Sequence, residues 1–392
     1  MRHIKLYNNI KPENLTGFGR DYDFADELDD TVDAILLRSQ NILDLELPKA
    51  VRCIARAGAG VNNIPHERYA KDGVVVFNTP GANANAVKEL VVGLILISSR
   101  DVLGGIHWCR EHADDDNVYK EAEAAKKAFV GREVMGKRIG IVGLGAIGSH
   151  VADTCIALGM DVYGYDPYLS IANAWNMSRE VHRMDSLDDL CRGCDYLTVH
   201  VPATPSTKGL VTSEQLDLLN DGAIVLNYSR EGVIEEPAIA AALKGGKVKN
   251  YITDFATPAV LHMDGAIVTP HAGAGTAEAE DNCTSMAVDE IRDYLENGNI
   301  RNSVNYPSCN MGACSSAGRF ACLHSNTPNV IGQITSALGG SSVNIQRMAN
   351  EAKGENSYTM IDVDGPVEEA TYEKLRAIPG VYRVRIIRRA EG

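Results

Sequence analysis

The chain has 392 residues, enough for two or three domains, since single hydrophobic cores usually stop growing near ~250–300 residues. With 45% apolar and 23% charged residues it has the composition of an ordinary globular protein. Its 52 acids against 38 lysines and arginines leave a formal charge of −14, which argues against a nucleic-acid or anionic-membrane partner, so an anionic substrate has to be met by locally placed Arg or Lys.

The longest apolar stretch, Leu90 to Ile97, is far short of a membrane span of ~20 residues, and the first residues lack an apolar core of signal-peptide length. A cytoplasmic protein is expected. Nine scattered cysteines suit a reducing compartment better than a disulfide framework. Cys191-Arg-Gly-Cys194 is a lone CxxC with no second pair, which argues against zinc and leaves either two thiols near a helix end or a minor redox role.

Residues 1 to about 82 read as a small α/β unit, with β-rich runs at Ala34 to Leu37, Val51 to Ala55 and Val74 to Phe77. Arg38 ends the first run and is either an anion ligand or a solvated strand end. The glycines of Arg56-Ala57-Gly58-Ala59-Gly60-Val61-Asn62-Asn63 expose backbone N–H groups that can grip a carboxylate, or form only a turn. A turn-rich crossing, Asn78 to Asn85, then enters a helix in AVKELVVGLILISSR, with Asn83 and Asn85 as cap candidates. That helix is apolar on nearly all sides, which implies deep burial or a subunit interface. Residues 101 to 136 are charged and helical in pattern.

From Lys137 to Pro167 the pattern is strand, glycine turn, helix, strand. Gly143 permits the tight turn, Gly145 lets the backbone approach a pyrophosphate, and Gly148 lets the helix pack on the strand. The helix start at Ala146 and Ile147 presents N–H groups and a positive dipole end to phosphates. Asp166, eighteen residues past Gly148, suits a ribose and would repel a 2′-phosphate, so NAD is expected over NADP. Further strands end in His200-Val201-Pro202, in Ser229-Arg230-Glu231-Gly232, at Asp254, and in Pro270-His271-Ala272-Gly273. In open α/β sheets ligands bind past such carboxyl ends. Arg230 offers a planar fork for a carboxylate. His271 is either a base, with an unperturbed pKa of about 6.5, or a structural His after a Pro. Asp254 either orients a nicotinamide or a water, or caps a strand end.

A long helix ends at Gly298, and Asn305 to Ala317, with Pro, Gly, Ser and Cys, reads as a linker in which Cys309 and Cys314 are open to oxidation. The remainder has the pattern strand (Phe320 to His324), helix (Asn329 to Leu338), strand (Val343 to Ala349), strand (Tyr358 to Asp362), helix (Val367 to Ile378), strand (Val381 to Ile387). Such a βαββαβ unit is a plausible ligand-binding module.

RAGAGVNN at 56–63, VFNTPGANANAVKEL at 76–90, GLGAIG at 143–148, YDPY at 165–168, HVP at 200–202, LNYSREG at 226–232, TPHAGAGTAEAEDN at 269–282 and RDYLENGNIRNSVNYP at 292–307 together resemble the D-2-hydroxyacid dehydrogenase family. The resemblance covers nearly the whole chain, in the short form with a C-terminal ACT domain. It implies a flavodoxin-like substrate domain (1–82 and 290–304), a Rossmann-like doubly wound NAD-binding domain (83–289), a linker (305–317) and an ACT-like α+β regulatory domain (318–392). It further implies oxidation of 3-phosphoglycerate to 3-phosphohydroxypyruvate with NAD, the entry step of serine synthesis. The family's catalytic Arg and His fall on Arg230 and His271. Cofactor contacts are expected at Gly143, Gly145, Ala146, Ile147, Gly148, Asp166, His200, Val201, Pro202 and Asp254. Substrate contacts are expected at Ala59, Gly60 and Val61, at Asn83, and at Arg38 for the phosphate, although Gln40 stands where a second basic residue is common. In the ACT domain, His324, Asn326 and Asn344 map to positions that hold L-serine between two subunits, or they merely cap turns. A homodimer or homotetramer is implied.

One departure is larger. The family places a Glu-Pro pair shortly after the strand-end Asp, and that Glu partners the catalytic His. Here the stretch reads Asp254-Phe255-Ala256-Thr257-Pro258-Ala259, and Asp264 is the only acid from Phe255 to Pro270. Either Asp264 replaces the Glu from a shortened loop, or His271 works without a carboxylate partner. Two competing readings stay open: another D-2-hydroxyacid dehydrogenase, of the glyoxylate or hydroxypyruvate reductase type, and a non-catalytic NAD-sensing binding protein.

Overall fold

A computed structural model describes residues 1–388 other than 9, 170, 342 and 367. Val367, the expected start of the last helix, and residues 389–392 of the expected regulatory domain therefore lie outside the described residues. The chain divides into two compact units, 1–82 with 280–392, and 83–279.

The first unit opens with β1 (Arg2–Leu6), β2 (Tyr22–Ala25), β3 (Val32–Leu37), β4 (Cys53–Arg56) and β5 (Val75–Phe77). They form one parallel sheet in the order β2-β1-β3-β4-β5, the flavodoxin-like arrangement. Central β3 is buried along its whole length, as a strand covered on both faces should be. β1 and β2 go unread in the sequence because RHIKL and YDFA mix charges into runs that sit toward the sheet edge.

The second unit carries seven parallel strands: β6 (Arg138–Val142), β7 (Asp161–Tyr165), β8 (His182–Arg183), β9 (Tyr196–Val199), β10 (Ala223–Asn227), β11 (Val248–Thr253) and β12 (Ala266–Val268). Their order, β12-β11-β10-β9-β6-β7-β8, is doubly wound, with β6 and β9 flanking the switch point. Helix Ala84–Ser98 buries Val87, Val91, Leu94 and Ile95 in the same core as Ile139, Ile141 and Val151, which answers its nearly uniform apolarity. Helices Val102–Glu111 and Val118–Ala125 bury no residue at all. No single helix among the described residues is long and apolar enough to cross a membrane.

Returning to the first unit, the C-terminal module comprises β13 (Gly318–Ser325), helix Val330–Gly339, β14 (Ile345–Lys353), β15 (Asn356–Val363), helix Glu369–Arg376 and β16 (Val381–Ile387). Its antiparallel sheet has the order β14-β15-β13-β16. One side of it packs on the two helices through Phe320, Cys322, Ile334, Leu338, Ile361 and Leu375. The other shares a core with the long helix Ala277–Asn297, joining Leu323, Tyr358 and Met360 to Ile291, Tyr294 and Tyr306.

Two expectations about domain boundaries change here. Residues 305–317 are packed and not a free linker, since Tyr306, Cys309, Met311 and Cys314 are all buried and the Tyr306 hydroxyl donates to Ala70 O at 2.5 Å. Pro, Gly and Ser signal irregular backbone, not exposure, and the apolar residues between them fill the space beside the module. Burial also pushes the Cys309 thiol up to about 11, which disfavours the thiolate that oxidation needs. The unit break falls at 279/280, ahead of the expected 289/290, because the intervening helical turns pack with the first sheet: Lys11 and Asn14 both reach Asp281, at 3.0 and 2.7 Å, and Ala287 and Val288 lie in its core.

Candidate active site

Across the seven-stranded sheet, Val142, Val199, Asn227, Thr253 and Val268 pair in register and form one row at the carboxyl edge. Gly143, His200 and Asp254 each stand one residue past that row. Arg230 and His271 each stand three past it, on β10 and β12, two strands apart. At ~4.8 Å between neighbouring strands their backbones start ~10 Å apart, on either side of Asp254.

The glycine turn is built for a ligand's close approach. Gly143 has φ +88°, and a Cβ there would come within 2.6 Å of His200 O. A Cβ on Gly148 would meet Gly143 O at 1.9 Å, whereas at Gly145 it would meet nothing within 4 Å, so that side is open. Helix Ala146–Ala157 begins directly after Gly145, which leaves the N–H groups of Ala146 and Ile147 without intrahelical acceptors. Asp166 lies beneath the turn, its Oδ2 accepting from Leu144 N at 2.9 Å and its Oδ1 from Tyr168 N at 2.8 Å. Desolvation pushes His200 down to about 4, so its ring is neutral near neutral pH; Nε2 shares a hydrogen bond with the Thr198 hydroxyl at 3.0 Å, and the buried Nδ1 has no partner among the described residues. Val201 and Pro202 follow, and Pro202 O accepts from the Thr207 hydroxyl at 2.6 Å. An open cradle, free helix-start donors and an orphaned buried nitrogen fit a dinucleotide.

Arg230 is held by its backbone and left free at its head. Asn227 Nδ2 donates to Arg230 O at 3.0 Å, while Asn227 Oδ1 accepts from the Ser229 amide at 3.2 Å and hydroxyl at 3.0 Å. The exposed guanidinium donates to Ser229 O at 2.6 Å and has no ion pair among the described residues.

His271 adopts φ +53°, in the left-handed region, with its ring exposed and set edge-on to Phe255 at 5.6 Å between centroids. A non-glycine residue there costs about 1–3 kcal/mol and persists only when its surroundings enforce it. Asp254, 6% exposed, supplies that enforcement: Oδ1 accepts from the Thr269 hydroxyl at 2.6 Å and from Ala272 N at 2.7 Å, and Oδ2 accepts from Gly273 N at 2.8 Å. The Thr269 hydroxyl also meets the Tyr228 hydroxyl at 2.7 Å, and burial pushes that phenol up to about 12. Of the two explanations for the missing Glu, replacement by Asp264 fails. Asp264 lies two residues before β12 and His271 three after it, so at ~3.3 Å per residue they stand at opposite edges of the sheet. The His271 ring hydrogen-bonds no carboxylate among the described residues.

In the first unit, the amides of Ala59, Gly60 and Val61 donate to nothing among the described residues, and the loop is pinned by Asn78 Nδ2 on Ala59 O at 2.6 Å and by Gly58 N on the Thr79 hydroxyl at 2.8 Å. Arg38 is not free: its Nη2 pairs with Glu280 at 2.6 Å. The consecutive amides of Arg38, Ser39 and Gln40 all donate to Asn8 Oδ1, at 3.0, 3.2 and 3.1 Å, so an amide oxygen fills this nest. Asn83 precedes helix Ala84–Ser98 without a side-chain cap bond.

His324 is buried, with both ring nitrogens engaged, Nδ1 by Ser325 O and Nε2 by the Thr359 hydroxyl, each at 2.8 Å, and burial lowers its pKa. Asn326 is exposed and its Nδ2 donates to Gly354 O at 3.1 Å. Asn344 is exposed too, but at the other end of the sheet: it precedes β14, whose Ile345 pairs with Val363, opposite Gly318 at the start of β13. One chain therefore does not bring Asn344 together with His324 and Asn326. Cys191 and Cys194 are buried thiols, pushed by burial up to about 12 and about 11.

Sequence reading misses the residues that hold these groups: Asn8, Asn78, Thr79, Asn227, Tyr228 and Thr269. For those past the apolar strands the one signal is a hydroxyl or amide at the strand's end, as in AIVLN ending at Asn227; Asn8, after the charged run RHIKL, has none.

Residues 93–273 match the NAD-binding domain of the D-isomer specific 2-hydroxyacid dehydrogenases. The chain is similar to D-3-phosphoglycerate dehydrogenase of Methanocaldococcus jannaschii, 34% identical over 270 residues covering 67% of this chain and 49% of that protein. It is 30% identical over 369 residues to D-3-phosphoglycerate dehydrogenase of Haemophilus influenzae, covering 90% and 85% of the two. The first of these sets the scale: the chain spans about half the length of several curated relatives it matches. Among solved structures, NAD+-bound 3-phosphoglycerate dehydrogenase of Entamoeba histolytica superposes with a TM-score of 0.59 at 24% identity, over 78% of this chain and 98% of that one, which is a likeness of fold.

Proposed function

Because the chain belongs to the D-isomer specific 2-hydroxyacid dehydrogenases, with D-3-phosphoglycerate dehydrogenases as its named relatives, we propose that it oxidises 3-phosphoglycerate to 3-phosphohydroxypyruvate with NAD, the first step of L-serine biosynthesis. The observation that carries this reading is the pair Arg230 and His271, each three residues past one strand row, with Asp254 on the strand between theirs holding the two amides that follow His271.

NAD held at the glycine turn and the start of helix Ala146–Ala157 would supply the hydride acceptor, and the residues of this chain do the rest. Arg230 turns its unpaired fork to the substrate carboxylate in a bidentate way. His271 takes the proton of the C2 hydroxyl as the carbonyl forms, and returns it in the reverse direction. Asp254 is a positioning residue: it fixes the amides of Ala272 and Gly273, and with them the left-handed turn that presents the imidazole. His271 works without a carboxylate partner. In the first unit, the free amides of Ala59, Gly60 and Val61 suit an anionic group of the substrate. Arg38 is already paired with Glu280 through Nη2, and that carboxylate opposes a phosphate at its side.

The same proposal extends to assembly and setting. Helices Val102–Glu111 and Val118–Ala125, which bury nothing and expose Val102, Leu103 and Ile106, are the surface on which a homodimer or homotetramer forms. The C-terminal βαββαβ module is ACT-like. If L-serine binds it, Asn326 of one chain and Asn344 of another form the site, because within one chain they lie an eight-residue strand apart, ~25 Å. Nine reduced cysteines suit the cytoplasm.

The test is NADH formation by the purified protein with 3-phosphoglycerate, repeated with NADP and with L-serine, against reduction of glyoxylate and hydroxypyruvate. Oxidation of 3-phosphoglycerate with NAD is expected. The Arg38–Glu280 pair and Gln40 favour an unphosphorylated 2-hydroxyacid as the second reading, and faster turnover of glyoxylate would install it.

A further inference from the structure

Arg2, Lys49 and Arg52 line a cavity of about 790 Å³ at the amino-terminal edge of the five-stranded sheet. From the C-terminal module, Arg376, Arg383, Arg385 and Arg388 line the same cavity. The one carboxylate among them is Asp72. In a chain with 52 acids to 38 lysines and arginines, seven cations around one acid is a local inversion of the whole molecule's balance.

Two of these cations are answered outside the cavity wall, Arg52 by Asp33 and Arg376 by Glu373. Arg383 and Arg385 are not. Arg383 donates to Val51 O and Lys49 O, and Arg385, 8% exposed, donates to Tyr294 O at 3.0 Å and Leu295 O at 3.2 Å. Carbonyl oxygens satisfy their N–H groups, and the Arg385 guanidinium also lies over the Tyr294 ring at 4.1 Å, but neither arginine meets a carboxylate among the described residues, which is costly at this depth. Burial lowers the Arg383 pKa, and Arg385 and Arg52 lower it further. Lys49 and Arg388 are exposed at the rim with no carboxylate partner among the described residues.

We propose that this cavity binds a small anion carrying two or more phosphate groups. Guanidinium forks match phosphate oxygens bidentately, and several converging forks match several phosphates. The volume falls within the ~300–1,000 Å³ of small-molecule sites, and Tyr372 and Tyr382 supply part of its wall. The site is separate from the loop assigned to the substrate: Arg52 precedes β4, whereas Arg56 closes that strand and leads into residues 59–61. An occupant ties β16 to the start of β4, so binding stabilises the module on the sheet.

The test titrates inorganic pyrophosphate into the full-length protein by calorimetry, with NADH saturating and ionic strength held constant with chloride, and repeats it with sulfate. The doubly substituted Lys49→Glu/Arg388→Glu protein changes only rim side chains outside the catalytic machinery and keeps its turnover. The expected result is one-site binding of pyrophosphate that this variant weakens at least about hundredfold, ~2.7 kcal/mol, while Arg38→Gln leaves it within about twofold. Equal binding by the double variant and its parent, equal heats with sulfate, or no binding at millimolar pyrophosphate would each overturn the proposal.

Discussion

Arg230 and Arg319 carry the same side chain into opposite situations. Arg230, past the end of β10, is exposed, bonds a neighbouring carbonyl and meets no acid among the described residues. Arg319, in β13, has no exposed surface: it forks onto Asp362 at 2.6 and 3.0 Å and donates to Asn297 O and Gly312 O at 2.8 Å. Arg319 thus caps the carboxyl end of the long helix through Asn297 O, where the helix dipole favours cations. The contrast separates two uses of polar groups. At the sheet edge they are positioned through backbone and hydroxyl bonds, which leaves their charges for a ligand; at the module's mount they are consumed in holding two pieces of chain together.

The sharpest way to break this comparison is His271→Gly. Turnover should fall on the order of 10²–10⁴-fold with the base gone. Stability should rise by about 1 kcal/mol, since glycine tolerates φ +53°. Rates and urea denaturation check both, and a destabilised variant would show that the turn stores no strain.

Arg319→Met should instead cost about 3–5 kcal/mol, because it leaves Asp362 buried and unpaired, and the accompanying Asp362→Leu should restore most of it. Denaturation midpoints of the single and double variants decide this, with turnover of the folded protein expected to be unchanged.

A smaller effect concerns Glu290, buried in the long helix, where desolvation pushes the carboxyl up to about 8 while Oε1 accepts from Asn302 at 2.5 Å and Oε2 has no partner among the described residues. Between its ordinary value near 4.5 and about 8, the folded protein holds a proton that the unfolded chain has released. Stability is therefore fully present below the lower value and is lost as pH rises through the window. Glu290→Gln should flatten that decline in a series of thermal melts; an unchanged slope would place its origin elsewhere.

The smallest effect expected is at Asp264. Asp264→Asn should leave turnover within about twofold, since it sits at the far edge of the sheet from His271. A loss on the scale of a His271 variant would restore it as the hidden partner.

What the sequence made legible was local. The glycine turn, the strand before it and Asp166 are contiguous, and the βαββαβ order of the module follows from alternating apolar runs. The supports of the candidate site were not legible, because they join distant segments: Asp254 to Ala272 and Gly273, Tyr228 to Thr269, Asn8 to the amides of residues 38–40. Composition misled at 305–317, where Tyr306 and Met311 matter more than the Pro and Gly beside them. It was silent on Arg319, which in sequence is only a charge within a strand.

The central claim, that Arg230 binds substrate carboxylate and serves no structural purpose, is tested most directly by Arg230→Lys, assayed for NADH formation from 3-phosphoglycerate alongside NADH binding and thermal stability. A lysine keeps the charge but loses the fork, so kcat/KM should drop on the order of 10²–10³-fold, with cofactor affinity and melting temperature unchanged. Unaltered kcat/KM, or a loss that merely follows unfolding, would contradict it.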